Sequence, residues 1–272
     1  MDAHVISLAN QKGGTAKTTT CANLGIGLAQ AGRKVLLVDA DAQGSLTLSL
    51  GWEPDELPIT LYDLMIKAIQ DRPVIHGEGM LHHEEGVDLL PANIELAGME
   101  MSLISVMYHE TILKQVLEPY KHEYDYILID CAPSLGMMTI NALAATDGIV
   151  VPTIPQHLPT KGIEKLLESV HQVRRGINPS LKIEGILMTL VDGRTVYERE
   201  ISEMIRKAYG EKINIFGTEI PRSVRAAETS AEGKSIFAYA PRSKVAEAYR
   251  QLTKEVLALE KQREEHRAEI GR

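Results

Sequence analysis

The sequence has 272 residues, of which 44% are hydrophobic but only 4% aromatic, and its formal net charge at pH 7 is -8. This length allows one large α/β domain or two small ones with an aliphatic core. No apolar run approaches the roughly 18 residues of a membrane span, and the N-terminus does not resemble a signal peptide. The two cysteines, Cys21 and Cys131, have neither a disulfide nor a metal-binding spacing, which favours two reduced, buried thiols in a cytoplasmic protein.

Short apolar runs alternate with longer helical patterns along the chain. Strands are predicted at residues 4–10, 35–41, 87–92, 126–132, 148–154, 183–190 and 213–220. Helices are predicted at about 18–32, 94–118, 136–146, 160–176, 196–209 and 243–267, with a short one near 60–70 in the otherwise irregular segment 53–86. The alternation predicts one doubly wound, mostly parallel sheet with helices on both faces, in a single domain spanning 1–272. Functional loops should lie at the C-terminal ends of the strands.

Charge is distributed unevenly between the two parts of the chain. Residues 1–160 contain 8 Lys and Arg against 20 Asp and Glu, a net of -12, whereas residues 161–272 contain 21 against 17, a net of +4. A surface that binds a polyanion is therefore expected in the second part. The C-terminal helix, at about 243–272, is charged on every face, which predicts a solvated helix end rather than a membrane anchor.

A glycine-rich loop, NQKGGTAKTTT at residues 10–20, follows the first predicted strand and opens the first long helix. Backbone N–H groups at such a helix N-terminus form an anion-binding nest, which predicts a phosphate site. Lys17 is expected to reach the β- and γ-phosphates of a nucleotide, and the Thr18 hydroxyl to ligate Mg²⁺. An ordinary glycine turn is the alternative, but a Lys-Thr pair so placed disfavours it. The predicted nucleotide contacts in the loop are Gly13, Gly14, Thr15, Ala16, Lys17, Thr18 and Thr19.

Acidic residues end two of the predicted strands. Asp39 and Asp41 lie two residues apart and therefore share one face at a strand C-terminus, near the loop predicted to hold phosphate and Mg²⁺. Another apolar run ends in Asp130, the pattern of a Walker B strand whose carboxylate holds Mg²⁺ through water. The following residues, 134–136, are expected to form a switch that senses the γ-phosphate. Exposed turn acids are the alternative, which the adjacent phosphate loop disfavours.

These segments resemble the deviant Walker A family of ATPases, which includes ParA, Soj, MinD and the nitrogenase iron proteins. Residues 12–18 match the family pattern KGGxGK[ST] except at Ala16, residues 39–44 match DxDPQG except at Ala42, and residues 130–136 match DxPPSLG except at Ala132. Residues 188–195, 220–225 and 240–243 also resemble ParA/Soj segments. The resemblance covers nearly the whole chain and is weakest at 53–86.

The resemblance implies roles for several residues. It implies that Lys12 reaches across a dimer interface to the phosphates of the partner's ATP, and that Asp41 positions or activates the attacking water. It implies that Asp39 supports the Mg²⁺ shell and that Pro221 lies by the adenine. Alanine at position 16 adds a Cβ where the family has glycine, so weakened nucleotide affinity or turnover is an alternative.

Other classes that share parts of this pattern fit less well. A MinD-like protein needs an amphipathic membrane helix, and an iron protein needs dedicated cluster cysteines. A dinucleotide-binding dehydrogenase needs its glycines at a strand–helix turn, whereas Gly25-x-Gly27 lies inside a predicted helix. A DNA-binding protein without catalysis would not need Asp39, Asp41 and Asp130 around a phosphate loop.

The phosphate loop begins at residue 12, which leaves no room ahead of it for a helix-turn-helix domain. DNA binding is therefore expected to be independent of sequence and to use the ATPase fold itself. Arg194, Arg222 and Arg225 lie in segments that match the DNA-contacting region of the family, and guanidinium groups pair well with phosphate. Solvated surface arginines are the alternative.

The sequence thus predicts a ParA/Soj-type partitioning ATPase of the cytoplasm that uses ATP and Mg²⁺. Two chains are expected to sandwich two nucleotides, bind double-stranded DNA at the nucleoid, and release it on slow hydrolysis stimulated by a ParB-like partner. No membrane contact is expected. A related ATPase that positions a different cargo is the alternative.

Overall fold

The computed structural model describes residues 2–104, 106–156, 159–192 and 196–270. The strands are β1 (His4–Leu8), β2 (Val35–Ala40), β3 (Leu81–His82), β4 (Asp88–Leu90), β5 (Tyr126–Cys131), β6 (Gly148–Thr153), β7 (Lys182–Val191) and β8 (Ile215–Pro221). The α-helices are α1 (Lys17–Gln30), α2 (Ser45–Ser49), α3 (Leu61–Ile69), α4 (Met99–Leu103), α5 (Ile112–Leu117), α6 (Met137–Ala145), α7 (Pro159–Gly176), α8 (Val196–Tyr209), α9 (Val224–Glu232), α10 (Ile236–Tyr239) and α11 (Lys244–Ile270).

One sheet unites the strands in the order β3-β4-β2-β5-β1-β6-β7-β8. All neighbours pair in parallel except β3, which is antiparallel to β4. The central strands β2, β5 and β6 are buried along their whole length, as expected of parallel strands covered on both faces. This arrangement confirms the predicted α/β fold with a mostly parallel sheet.

Two apolar layers, one on each face of the sheet, form the core. Val38 and Ile127 belong to the layer under α3, α5, α6 and α7, while Leu37 and Leu128 belong to the layer under α1, α10 and α11. Successive residues of a strand point to opposite faces, which explains how runs of Val, Leu and Ile supply both layers. Gly25 lies inside α1, where a Cβ would collide with Leu37, so its role is close packing of helix on sheet.

The predicted strands are all observed, with ends shifted by at most two residues. The continuous helix predicted at 94–118 is wrong: the segment is broken into α4, α5 and two short 3₁₀ turns. Tyr108 interrupts it with a left-handed backbone, at φ 59°. The Asn141 side chain then fixes the restart, accepting from Leu113 N at 3.1 Å and donating to His109 O at 2.8 Å. Contacts from a distant helix therefore override the local helical pattern.

The topology brings the predicted functional loops together. Strands β2, β5 and β1 are neighbours, and in their parallel register Asp39 pairs with Asp130 while Asp130 pairs with Leu8. The phosphate loop follows β1, and the Asp41 turn follows β2. Their C-terminal ends therefore meet at one edge of the sheet.

Candidate active site

Two neighbouring strands hold the phosphate loop in place. Asn10 donates through its side-chain amide to Pro152 O on β6 at 2.7 Å and accepts from Lys12 N at 3.0 Å. The Thr189 hydroxyl on β7 donates to Thr15 O at 3.0 Å. These side-chain bonds fix both limbs of the loop, and nothing in the local sequence pattern predicted Thr189 as an anchor.

Left-handed backbone occurs twice in the loop. Gly14 has φ 70°, which glycine adopts freely, but Ala16 also has φ 60° and ψ 33° as the N-cap residue of α1. A left-handed conformation costs a residue with a Cβ about 1–2 kcal/mol. The sequence analysis identified Ala16 as a departure from the family pattern because its Cβ occupies space that a glycine leaves open. The structure adds a conformational reason why the family uses glycine there.

The two loop lysines face different surroundings. Lys17 is only 7% exposed, and its Nζ donates to Lys12 O at 3.4 Å. Burial lowers the pKa of Lys17, and the charge of Asp130 opposes that effect. Lys12 is exposed and borders, with Pro133, a cavity of about 370 Å³ beside the loop. Lys17 is thus placed to serve its own loop, while Lys12 is free to reach outward.

Thr18 and Asp130 form the centre of the acidic edge. The Thr18 hydroxyl donates to Asp130 Oδ2 at 2.6 Å, and Asp130 is 1% exposed. The other oxygen, Asp130 Oδ1, is buried with no hydrogen-bond partner among the described residues. Burial raises the pKa of Asp130, and the neighbouring charge of Asp39 adds to the effect. A buried, unpartnered carboxylate oxygen beside a hydroxyl is a fit for a cation.

Asp39 directs both of its oxygens into the protein. Oδ2 accepts from Thr47 N at 2.9 Å and from Thr47 Oγ1 at 2.8 Å, while Oδ1 accepts from Asp41 N at 3.2 Å. Burial raises the pKa of Asp39 to about 7, although the bonds from Thr47 oppose the rise. Asp41 is partly exposed, and its Oδ1 accepts from Gln43 N at 3.0 Å. Of the two carboxylates, Asp41 is the one that can face a bound molecule.

The loop after β5 is held by hydrogen bonds from neighbouring helices. Pro133 and Ser134 are exposed, and the Thr139 hydroxyl donates to Ser134 O at 2.8 Å. The carboxylate of Glu100 accepts from Met137 N at 3.1 Å, which satisfies a free N–H at the start of α6. The segment predicted as a γ-phosphate switch therefore begins at the acidic edge and ends on a capped helix.

The acidic edge offers a divalent cation few protein ligands. Among the residues that the structure describes, no group of three or more His, Cys, Asp or Glu side chains could hold a metal ion. Mg²⁺ usually takes one or two carboxylates plus substrate phosphates and water, rather than a cage of protein ligands. The Thr18–Asp130 pair beside the phosphate loop fits that pattern.

The remaining predicted residues in the described part of the chain lie at the end of β8 and the start of α9. Pro221 ends β8 and borders a cavity of about 410 Å³ together with Val191 and Lys244. Arg222 and Arg225 are exposed, on the turn before α9 and in its first turn. Arg194 lies outside the described residues. Two of the three arginines thus lie close together in the chain at the start of α9.

Comparison with known proteins assigns the chain to a family. A profile described as an AAA domain matches residues 3–183, which include the phosphate loop and both acidic strand ends. The sporulation initiation inhibitor protein Soj of Bacillus subtilis (strain 168) is 42% identical over 254 residues, covering 93% of this chain and 98% of that protein. The chain belongs to the ParA/Soj family of P-loop ATPases.

Two further relatives support this membership. The chromosome-partitioning ATPase Soj of Thermus thermophilus is 42% identical over 253 residues, covering 93% of this chain and 95% of that protein. A crystal structure described as cobyrinic acid a,c-diamide synthase from Mycobacterium smegmatis with bound ADP and magnesium is 37% identical, with a TM-score of 0.81 over 94% of each chain. The ParA/Soj fold thus extends through nearly the whole sequence. No helix in the described ranges is long and apolar enough to cross a membrane.

Proposed function

We propose that this chain binds ATP with Mg²⁺ and hydrolyses the bond between its β- and γ-phosphates. This cycle of binding and hydrolysis would make the chain bind DNA and release it during partition. One observation carries the proposal: the phosphate loop, the Thr18–Asp130 pair and Asp41 converge at the C-terminal ends of three neighbouring parallel strands. The name of the Thermus thermophilus relative, a chromosome-partitioning ATPase, supplies the partitioning context.

Each part of the site has a role in this reaction. The backbone N–H groups of residues 13–16 bind phosphate oxygens, and Lys17 neutralises their charge from a largely buried position. Thr18 and Asp130 would hold Mg²⁺, which when bound would neutralise charge on the phosphates. Asp41 accepts a hydrogen bond from the attacking water and orients it towards phosphorus. Thr19 follows in the first turn of α1, and Pro221 contacts the base.

The dimer and DNA steps rest on exposed cations. Lys12 is free to cross to the phosphates of a second chain, which makes dimer formation depend on ATP. Arg222 and Arg225, with Arg194, would then lie on both halves of one dimer and bind DNA phosphates without reading sequence. A ParB-like partner would stimulate the slow hydrolysis that releases DNA. The protein would act in the cytoplasm on the nucleoid.

The proposal is tested by retention on non-specific double-stranded DNA with ATP, with ADP and without nucleotide, alongside release of inorganic phosphate. We expect retention with ATP alone and slow phosphate release. ATP hydrolysis without any DNA retention would favour the second candidate, a related ATPase that positions another cargo. Absence of hydrolysis, with ATP still bound, would point to a nucleotide site weakened by Ala16.

The description of the mycobacterial relative raises a third activity, formation of an amide. A synthase that takes ammonia from glutamine through a cysteine needs an accessible thiolate. Cys21 and Cys131, the only cysteines of the sequence, are both buried, and burial raises the pKa of each thiol. This environment disfavours a glutamine-dependent synthase and leaves the partitioning ATPase as the better-supported function.

A further inference from the structure

Thr47 lies in the short helix α2, and its polar groups are fully engaged. Its backbone N–H and its hydroxyl both donate to Asp39 Oδ2, at 2.9 and 2.8 Å. The same hydroxyl accepts from Ala92 N at 3.1 Å. The Thr47 side chain is completely buried. One hydroxyl therefore connects the carboxylate at the end of β2 to the chain that leaves β4.

Asp39 passes this constraint on to the acidic turn. Its second oxygen accepts from Asp41 N at 3.2 Å, so that Thr47, Asp39 and Asp41 form one chain of hydrogen bonds. Gly44 closes the turn with φ 60°, where a Cβ would lie 3.0 Å from Ala92 O. The turn that carries Asp41 is therefore held at its base by Asp39 and at its end by close packing on Ala92.

We infer that Thr47 is a positioning residue for ATP hydrolysis: its hydroxyl fixes Asp39, and Asp39 fixes the turn that presents Asp41 to the attacking water. This inference rests on the proposed ATPase function and deepens it. Bonds from a hydroxyl or an N–H to a carboxylate are among the stronger hydrogen bonds in proteins. A displacement of about 1 Å in a positioned group can cost about 100-fold in rate.

A purely structural role for Thr47 makes a different prediction. The Thr47→Val substitution keeps the shape of the side chain, removes its hydroxyl, and leaves the buried Ala92 N–H without a partner, so it lowers stability in either case. Only a positioning role lowers the rate of hydrolysis while leaving ATP affinity unchanged, because the phosphate loop does not depend on Thr47. Thr47→Ser returns the hydroxyl and should therefore restore the rate, which shows that the loss comes from the hydrogen bond and not from the methyl group.

The test is single-turnover hydrolysis at saturating Mg²⁺ and ATP, together with ATP affinity and thermal unfolding, in wild type, Thr47→Val, Thr47→Ser and Ser49→Ala. Ser49 is a matched control, since it is a buried hydroxyl of the same helix that donates to Leu46 O at 2.9 Å. For Thr47→Val we expect a rate loss of about 10–100-fold with affinity within about threefold of wild type. Thr47→Ser and Ser49→Ala should stay close to the wild-type rate.

A double substitution tests whether Thr47 acts through Asp41. If Thr47 acts through Asp41, adding Thr47→Val to Asp41→Ala should cause little further loss of rate. Should Thr47→Val fail to fold, Thr47→Cys loses the γ-methyl group but keeps a weaker donor, and should show a smaller loss of rate. A Thr47→Val rate within about twofold of wild type, or a loss equal to that of Ser49→Ala, would overturn the inference while the ATPase stands. A wild type that does not hydrolyse ATP would overturn both.

Discussion

The acidic edge of the sheet and the arginine-bearing surface near α9 are built in opposite ways. At the edge, Thr18, Asp39 and Asp130 are joined to other residues by side-chain hydrogen bonds, and both carboxylates are buried. Near α9, Arg222 and Arg225 are exposed, and no ion pair involving them is found in the described part of the chain. The edge is formed within one chain, whereas the function proposed for the arginine surface would require a second molecule.

Loss of Asp41 should have the largest effect at the edge. We expect Asp41→Ala to bind ATP and to dimerise, because the phosphate loop and Lys12 remain, yet to hydrolyse ATP about 10²–10⁴-fold more slowly. Single-turnover phosphate release measures the loss. Asp55→Ala, which alters an exposed acid in a neighbouring loop, serves as the control and should keep the wild-type rate. Unchanged hydrolysis in Asp41→Ala would reject its assignment.

Removal of the Lys12 ammonium should distinguish ATP binding within one chain from ATP-dependent dimer formation. Lys12→Ala is expected to bind ATP through Lys17 but to lose the ATP-dependent dimer, since only the exposed lysine can reach a second chain. Sedimentation with ATP reports the dimer, and a nucleotide titration reports affinity. Lys34→Ala, an exposed lysine before β2, is the matched control. A variant dimer as tight as wild type would show that Lys12 does not cross the interface.

Loss of an arginine from the surface near α9 should change how DNA retention depends on salt concentration. Each arginine lost from one chain removes two from a dimer, so Arg222→Ala and Arg225→Ala should each flatten the log–log salt dependence of DNA retention by up to about two units. Arg194→Ala belongs to the same series. Arg72→Ala, an exposed arginine in the acidic part of the chain, should leave the slope unchanged. If the variants dimerise and keep the wild-type slope, the DNA surface lies elsewhere.

The smallest expected effect is at Ala16. Ala16→Gly removes the strain of a left-handed alanine, although glycine also gives the unfolded chain more freedom, so the free energy of unfolding should rise by no more than about 1 kcal/mol. Nucleotide affinity or turnover should rise with it. Ala22→Gly in the interior of α1 should instead lower the free energy of unfolding by about 1 kcal/mol. Thermal unfolding and ATP titration check both signs, and lower affinity in Ala16→Gly would mean that the loop has adapted to alanine.

Sequence patterns predicted the phosphate loop, Asp130 and the sheet because these depend on local order and on parallel strands ending at one edge. They did not predict α2, α9 or α10, which are short and are stabilised largely by contacts with distant parts of the chain. The clearest example is Ile236, at the start of α10, whose N–H donates to Asn23 in α1 at 2.8 Å. Thr47 was missed for the same reason, because its hydroxyl also contacts Ala92, 45 residues further along the chain.

The two anchors of the phosphate loop bear on the timing of the cycle. Asn10 and Thr189 tie the loop to β6 and β7 through bonds made entirely within the protein. The loop is therefore already ordered before a nucleotide binds. Because binding needs no folding of the loop, we expect nucleotide association to be fast. Under the proposed function, bond cleavage and product release would then set the duration of each cycle, and a stimulating partner would shorten it.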